Sequence, residues 1–245
     1  SIYQESETYK INDINSNKWL AKEVESLKNY SNLIIKNRTS LAAFHGYNYL
    51  LARENLTDHL SINDRKDKIR QRLWKIRAKK VIIATGSIER PLIFSNNDRP
   101  GIMLSSSIKK YIDYYGVKTG ENVALFTNND SAYETAISLN KSGVKVNLII
   151  DIRKNSDSAI VKEALNSGVK VLWESTIVET KGYKKIRSLD VMKLSDDGNS
   201  IVGNKLKYKC DCLGISGGWT PMVHLFTQSG GKLKFRNEDN VFIPN

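Results

Sequence analysis

Apolar and polar residues follow two rhythms along this chain, and the change from one to the other divides it. At helical spacing, Trp19, Leu20, Val24 and Leu27 form a stripe within Asn17–Tyr30, behind Ser16 or Asn17 as a cap. Leu33–Ile35 and Phe44–Ala52 read as strands, His59–Lys68 as a polar turn region, and Gln71–Arg77 as a strand of period two. Val81–Thr85 is apolar throughout and ends at Gly86, the composition of a strand buried on both faces of a parallel sheet.

A second block begins at Ser105–Tyr115, a predicted helix with Gly116 where a left-handed residue would close it. Asn122–Phe126, Val144–Ile150 and Val169–Trp173 read as strands, with helices over Asp130–Lys141 and Ser156–Asn166 between them. Strand, helix, strand, helix and strand on short links predict a right-handed parallel unit. From Thr176 to Leu213 only strands follow, and the Asp197-Gly198 turn joins Ile186–Leu194 to Ile201–Tyr208. Cys212–Ser216 is the last of them and runs into Gly217 and Gly218. The meander over Phe44–Arg77 and the run Val81–Thr85 repeat the closing part of such a unit. A nested duplication accounts for the order. The expected fold class is α/β, two nested Rossmann-like dinucleotide-binding folds with antiparallel meanders, the first truncated. Residues 1–115 with 212–245 would make the incomplete first fold, and 116–211 an inserted second.

Composition narrows this only slightly. The 245 residues are 40% apolar and 26% charged, as in an ordinary globular protein. No apolar run approaches the roughly 20 residues that cross a bilayer, so no membrane span is expected. The polar start without an initiating Met predicts a fragment or processed product, with no signal peptide. Lys and Arg outnumber Asp and Glu by 38 to 26, a net charge of +12. Apart from Arg70–Lys80 the basic residues are scattered, and no nucleic-acid motif accompanies them, so a solvated surface is expected and no nucleic-acid partner. Cys210 and Cys212, one residue apart, would point to opposite faces of a strand. Without a disulfide framework or a Cys-x-x-Cys pair, they predict a reducing, cytoplasmic setting and no disulfide-reductase chemistry.

Few residues carry chemistry. Thr127–Ala132 (TNNDSA) stands where a Gly-rich loop would cradle a pyrophosphate, yet it holds no glycine. Asp130 places a carboxylate at the helix start, where it would cap free N–H groups and repel phosphate, so this loop is expected to bind no nucleotide. Asp151 sits where a ribose-binding carboxylate would, and with the loop altered it is assigned a structural or solvent-facing role. His45, His59 and His224 lie far apart and suggest no metal. Gly217-Gly218 fits either a close backbone approach to a cofactor or a simple turn. Ala84, Thr85 and Gly86, after an apolar run and a meander, are small enough to let a backbone approach a dinucleotide.

Four segments taken in order resemble one family: Arg72–Pro91 (RLWKIRAKKVIIATGSIERP), Asn97–Leu104 (NDRPGIML), Thr127–Tyr133 (TNNDSAY) and Ser216–Leu233 (SGGWTPMVHLFTQSGGKL). Arg38–Leu41 and Tyr47–Tyr49 add to the likeness, while Ala42 and Ala43 depart from the bulkier pair expected there. The family is the alpha subunit of heterotetrameric sarcosine oxidase. The resemblance implies a glutathione-reductase-like pair of folds in a complex that demethylates sarcosine to glycine, passes the carbon to tetrahydrofolate and releases hydrogen peroxide. It implies NAD in the first fold, FMN at the interface with the beta subunit, and FAD in the beta subunit, where the amine is oxidised. Carried over to this chain, it assigns Leu41, Ala84, Thr85 and Gly86 to cofactor binding and no residue to catalysis. The partners it implies are the other subunits of the oxidase. A related amine or amino-acid dehydrogenase, or a non-catalytic scaffold, remains the alternative.

Overall fold

The computed structural model describes residues 10–245. In chain order its main elements are α1 (Ser16–Leu27), β1 (Thr39–His45), β2 (Tyr49–Asn55), β3 (Gln71–Arg77), β4 (Ile102–Leu104), α2 (Ser105–Tyr115), β5 (Asn122–Thr127), α3 (Ser131–Lys141), β6 (Lys145–Asp151) and α4 (Ala159–Asn166). There follow β7 (Val171–Leu172), β8 (Ser175–Lys181), β9 (Ser188–Leu194), β10 (Ile201–Lys209), β11 (Cys212–Ser216), α5 (His224–Gln228), β12 (Leu233–Arg236) and β13 (Val241–Pro244). They fall into two compact units, one built on Glu89–Trp219 and the other on Glu23–Ile88 with Thr220–Asn245.

The Glu89–Trp219 unit is organised by a five-stranded parallel sheet in the order β7-β6-β5-β11-β4. Its central strands are continuous apolar runs because both faces are covered. Val123, Ala124, Leu125 and Thr127 are completely buried. One face packs under the helices, where Ile108 of α2, Tyr133 and Leu139 of α3, and Val161 of α4 meet Val123 and Leu125. The other face packs under the β8-β9-β10 meander through Ile177, Leu189 and Val191, which meet Ala124, Phe126 and Leu213. Helix α2 lies so near the sheet that a Cβ on Gly214 would stand 2.5 Å from Leu125 Cδ2 and 2.9 Å from Ile108 Cδ1. Gly116 closes that helix at φ 64°, its N–H donating to the Ile112 carbonyl at 3.2 Å and the following Val117 N–H to the Tyr111 carbonyl at 2.9 Å, as its sequence position predicts.

The expected boundaries of 116 and 211 move outward. β4 and β11 both belong to this sheet, with β11 hydrogen-bonded between β5 and β4. Strand partnership decides this, and the pairing of β11 with β5 is invisible in a run of five apolar and small residues.

In the other unit, β1, β2 and β3 form an antiparallel sheet in sequence order, and β12 pairs with β13. What the pattern presents as one strand over Phe44–Ala52 is the inside of a β1–β2 hairpin turned at residues 46–48. Two expectations fail here. Leu33–Ile35 is not a strand, and Ile34 is 80% exposed. Val81–Thr85 is not a strand either, and Ile82 is 93% exposed. The apolar run is present, but among the described residues no strand lies alongside to take up its N–H and C=O groups, and a parallel strand exists only by pairing. Helix α1 forms over Ser16–Leu27, ending three residues before the expected Tyr30, and Leu20, Val24 and Leu27 of its apolar stripe remain about two-fifths exposed.

Candidate functional site

In a parallel sheet of this topology the chemistry gathers beyond the carboxyl ends of the strands. At the end of β5, Thr127–Ser131 turns into α3, and three of its backbone donors are already committed. Asn128 N–H donates to Ser216 O at 3.2 Å. Asn129 N–H donates to Thr127 Oγ1 at 3.0 Å, and Ser131 N–H to Asn129 Oδ1 at 3.0 Å. The Asn129 amide nitrogen donates in turn to Ser216 O and Oγ, at 3.2 and 3.0 Å. Trp219 Nε1 donates to Ser131 Oγ at 3.2 Å. The cap is therefore Asn129, and the expectation that Asp130 fills this role fails: its carboxylate makes no capping bond to α3.

Asp130 turns instead to Arg153, whose Nη1 lies 2.7 Å from its Oδ1, and accepts from Ser156 Oγ at 3.1 Å. The same guanidinium holds Asp151 at the end of β6. Arg153 Nη2 is 2.7 Å from Asp151 Oδ2, and Nε and the backbone N–H both reach Oδ1 at 3.0 Å. Tyr133 Oη completes the shell at 2.8 Å. The Asp151 side chain is fully buried, so the solvent-facing half of the expectation is excluded and the structural half stands. Burial, followed by the Asp151 charge, pushes the Tyr133 phenol up, so it stays a donor throughout the accessible pH range. Burial also pushes Asp130 up, but hydrogen bonds from Arg153, Ser158 and Ser156 and the Arg153 charge outweigh it and hold the carboxyl below its ordinary value.

Gly217 and Gly218 make a close approach to the chain itself. Arg90 N–H donates to Gly218 O at 2.8 Å, and a Cβ on Gly217 would stand 2.7 Å from Pro91 O. Both thiols are buried, Cys212 on the helix side of the sheet and Cys210 on the meander side. Burial, with the neighbouring Cys212 and Asp211, pushes Cys210 up to about 12, and burial raises Cys212 as well. Thiols held protonated in this way are poor nucleophiles.

In the other unit, Ile83, Ala84, Thr85 and Gly86 line a cavity of about 200 Å³ with Pro221, Met222, Val223, Phe226 and Pro244. Thr85 is stapled in place: its hydroxyl donates to Met222 O at 2.8 Å, and Met222 N–H donates to Gly86 O at 2.9 Å. Gly86 has φ 69° and open space where a Cβ would point, so a ligand can approach its backbone there. Three of the four sequence-predicted residues thus meet at one cavity. Leu41, paired with Ala52 in the β1–β2 hairpin, is not among its lining. Sequence reasoning missed Arg153, Tyr133, Met222 and Phe226. An arginine two residues past a strand-end aspartate was a legible signal for the first, and nothing local marked the others.

A parallel sheet with helices on one face, a meander on the other and a loop-to-helix turn at the head of the first βαβ defines an α/β dinucleotide-binding fold of the flavoprotein type. The chain belongs to the pyridine nucleotide-disulphide oxidoreductase family, whose model matches residues 7–241. It is 35% identical over 241 residues to a sarcosine oxidase subunit alpha of Corynebacterium sp. (strain U-96), covering 98% of this chain and 25% of that protein. A sarcosine oxidase subunit alpha of Rhizobium meliloti (strain 1021) is 31% identical over 219 residues, 89% of this chain and 21% of its own length. The chain thus spans a quarter or less of these relatives. Among solved structures, L-proline dehydrogenase from P. horikoshii superposes with a TM-score of 0.62 at 22% identity, over 99% of this chain and 38% of that one. T. acidophilum thioredoxin reductase gives 0.64 at 19%, over 94% and 68%. Both share the fold.

Proposed function

We propose that this chain is the dinucleotide-fold region of the alpha subunit of a sarcosine-oxidase-like complex, holding a cofactor and contacting other subunits while the amine is oxidised elsewhere. The observation that carries this reading is the 35% identity to a sarcosine oxidase alpha subunit, sustained over 98% of the chain. The chemistry of the residues agrees. The two thiols are buried, and burial pushes both up, away from the thiolate form that disulfide reduction needs, so this stretch of chain offers no nucleophile for that chemistry despite the family name. Ala84, Thr85 and Gly86 expose backbone beside an apolar cavity that would accept one side of NAD, with the phosphates held outside these residues. The chain alone then binds NAD weakly. FMN at a subunit interface, FAD on a beta subunit, folate as carbon acceptor and a cytoplasmic location belong to the same proposal. A related amine or amino-acid dehydrogenase is the second reading, favoured by the likeness in fold to L-proline dehydrogenase.

The test is to purify the native complex that contains this chain and assay it with sarcosine and with L-proline. Bound flavin and sarcosine-dependent hydrogen peroxide are expected. Oxidation of proline alone transfers the reading to the dehydrogenase, and a complex with neither flavin nor amine oxidation refutes both.

A further inference from the structure

We infer that Asn129 and Arg153 are built-in ligands that close the nucleotide site of the Glu89–Trp219 unit, so that this fold excludes the dinucleotide its topology is shaped to take. A dinucleotide at such a site needs two things: free backbone N–H groups and a positive helix end for its pyrophosphate, and a strand-end carboxylate for its ribose. Both exist here, and three of the N–H groups and the carboxylate are already engaged. The N–H groups of Asn128, Asn129 and Ser131 donate to Ser216 O, Thr127 Oγ1 and Asn129 Oδ1. The Asn129 amide oxygen, which also accepts from the Ser131 hydroxyl at 2.5 Å, takes the part a phosphate oxygen would play at the start of α3. The Asn129 amide nitrogen ties the same side chain back to Ser216 at the end of β11, so it cannot swing clear without giving up those bonds too.

The ribose end is closed in the same manner. All the acceptor capacity of Asp151 that faces the strand end is taken by the backbone N–H, Nε and Nη2 of Arg153 and by Tyr133 Oη. Arg153 reaches across to Asp130, so one guanidinium bridges the two carboxylates that flank the entrance. With 27% of its side chain exposed, Arg153 lies at the mouth of the site rather than beneath it. A ligand would have to break every one of these bonds and separate the ion pairs while adding phosphate charge beside Asp130. The closure holds whichever amine the complex oxidises.

The probe is ADP, which carries the pyrophosphate, ribose and adenine of the dinucleotide, and the readout is amide hydrogen exchange of residues 127–133 in the intact protein. With the native sequence, millimolar ADP leaves exchange in this segment unchanged, and protection there overturns the inference outright. The variant Asn129→Gly/Asp130→Gly/Arg153→Ala frees the donors and Asp151, and its segment exchanges about tenfold more slowly once ADP exceeds its Kd by about tenfold. Arg153→Ala unmasks a buried carboxylate, so the triple variant can fail to fold. Asn129→Gly/Asp130→Gly keeps the Arg153–Asp151 pair and carries the same expectation for the phosphate end. A folded variant of either kind that saturating ADP does not protect overturns the inference, because something other than these side chains then excludes the nucleotide.

Discussion

Replacing Arg153 with alanine removes three side-chain donors, Nε and Nη2 from Asp151 and Nη1 from Asp130. Tyr133 Oη and the backbone N–H of residue 153 would remain on a carboxylate whose side chain is fully buried. Breaking one partner out of a buried pair costs about 3–5 kcal/mol, since the surviving charge keeps its desolvation penalty and loses its compensation. Amide exchange of Asn122–Thr127, the central strand beside this site, reads that loss directly. Where exchange follows opening of the whole unit, it should quicken by about a hundredfold to several thousandfold. The companion Tyr133→Phe removes one hydrogen bond and leaves the ion pair, so a loss of about 1.5–3 kcal/mol is expected, within the range for bonds to charged groups. An Arg153→Ala change costing under about 1 kcal/mol would refute the reasoning, because water or another group would then be reaching Asp151 as well as Arg153 does.

Four further outcomes follow from the same structure. The Asp130 carboxyl is held below its ordinary 3.8, so its contribution to stability is complete above that pH and is lost as pH falls through the lowered value; acid denaturation should show Asp130→Asn flattening this part of the profile. Gly214→Ala drives a Cβ to within 2.5 Å of Leu125 Cδ2 and should cost about 1–3 kcal/mol by overpacking in urea denaturation. Neither Cys210 nor Cys212 should react with an aromatic disulfide reagent at pH 8 in the native protein, and both should react in denaturant; rapid native labelling would contradict their burial. Thr85→Val loses the hydroxyl bond to Met222 O, costing about 1 kcal/mol, and should speed limited proteolysis between Ala84 and Ile88.

Local pattern was enough wherever an element depends on its own residues. Ser105–Tyr115 with Gly116 behind it forms as read, because helical spacing and a residue tolerant of positive φ are both local properties. The same is true of the strand–helix–strand run over residues 122–151 and of the hairpin across Asp197-Gly198, where period and turn chemistry agree. Tertiary structure decided what depends on a partner. Val81–Thr85 has the composition of a buried strand and stays unpaired, since a parallel strand is made by its neighbours. Cys212–Ser216 reads as a strand in sequence, but only its pairing with β5 and β4 places it in the five-stranded parallel sheet. At the altered loop, sequence correctly marked the missing glycines, whereas the choice between Asn129 and Asp130 as cap turned on Arg153, 23 residues further on. Periodicity reports which residues want burial, but a charged side chain takes its role from the opposite charges the fold brings within reach.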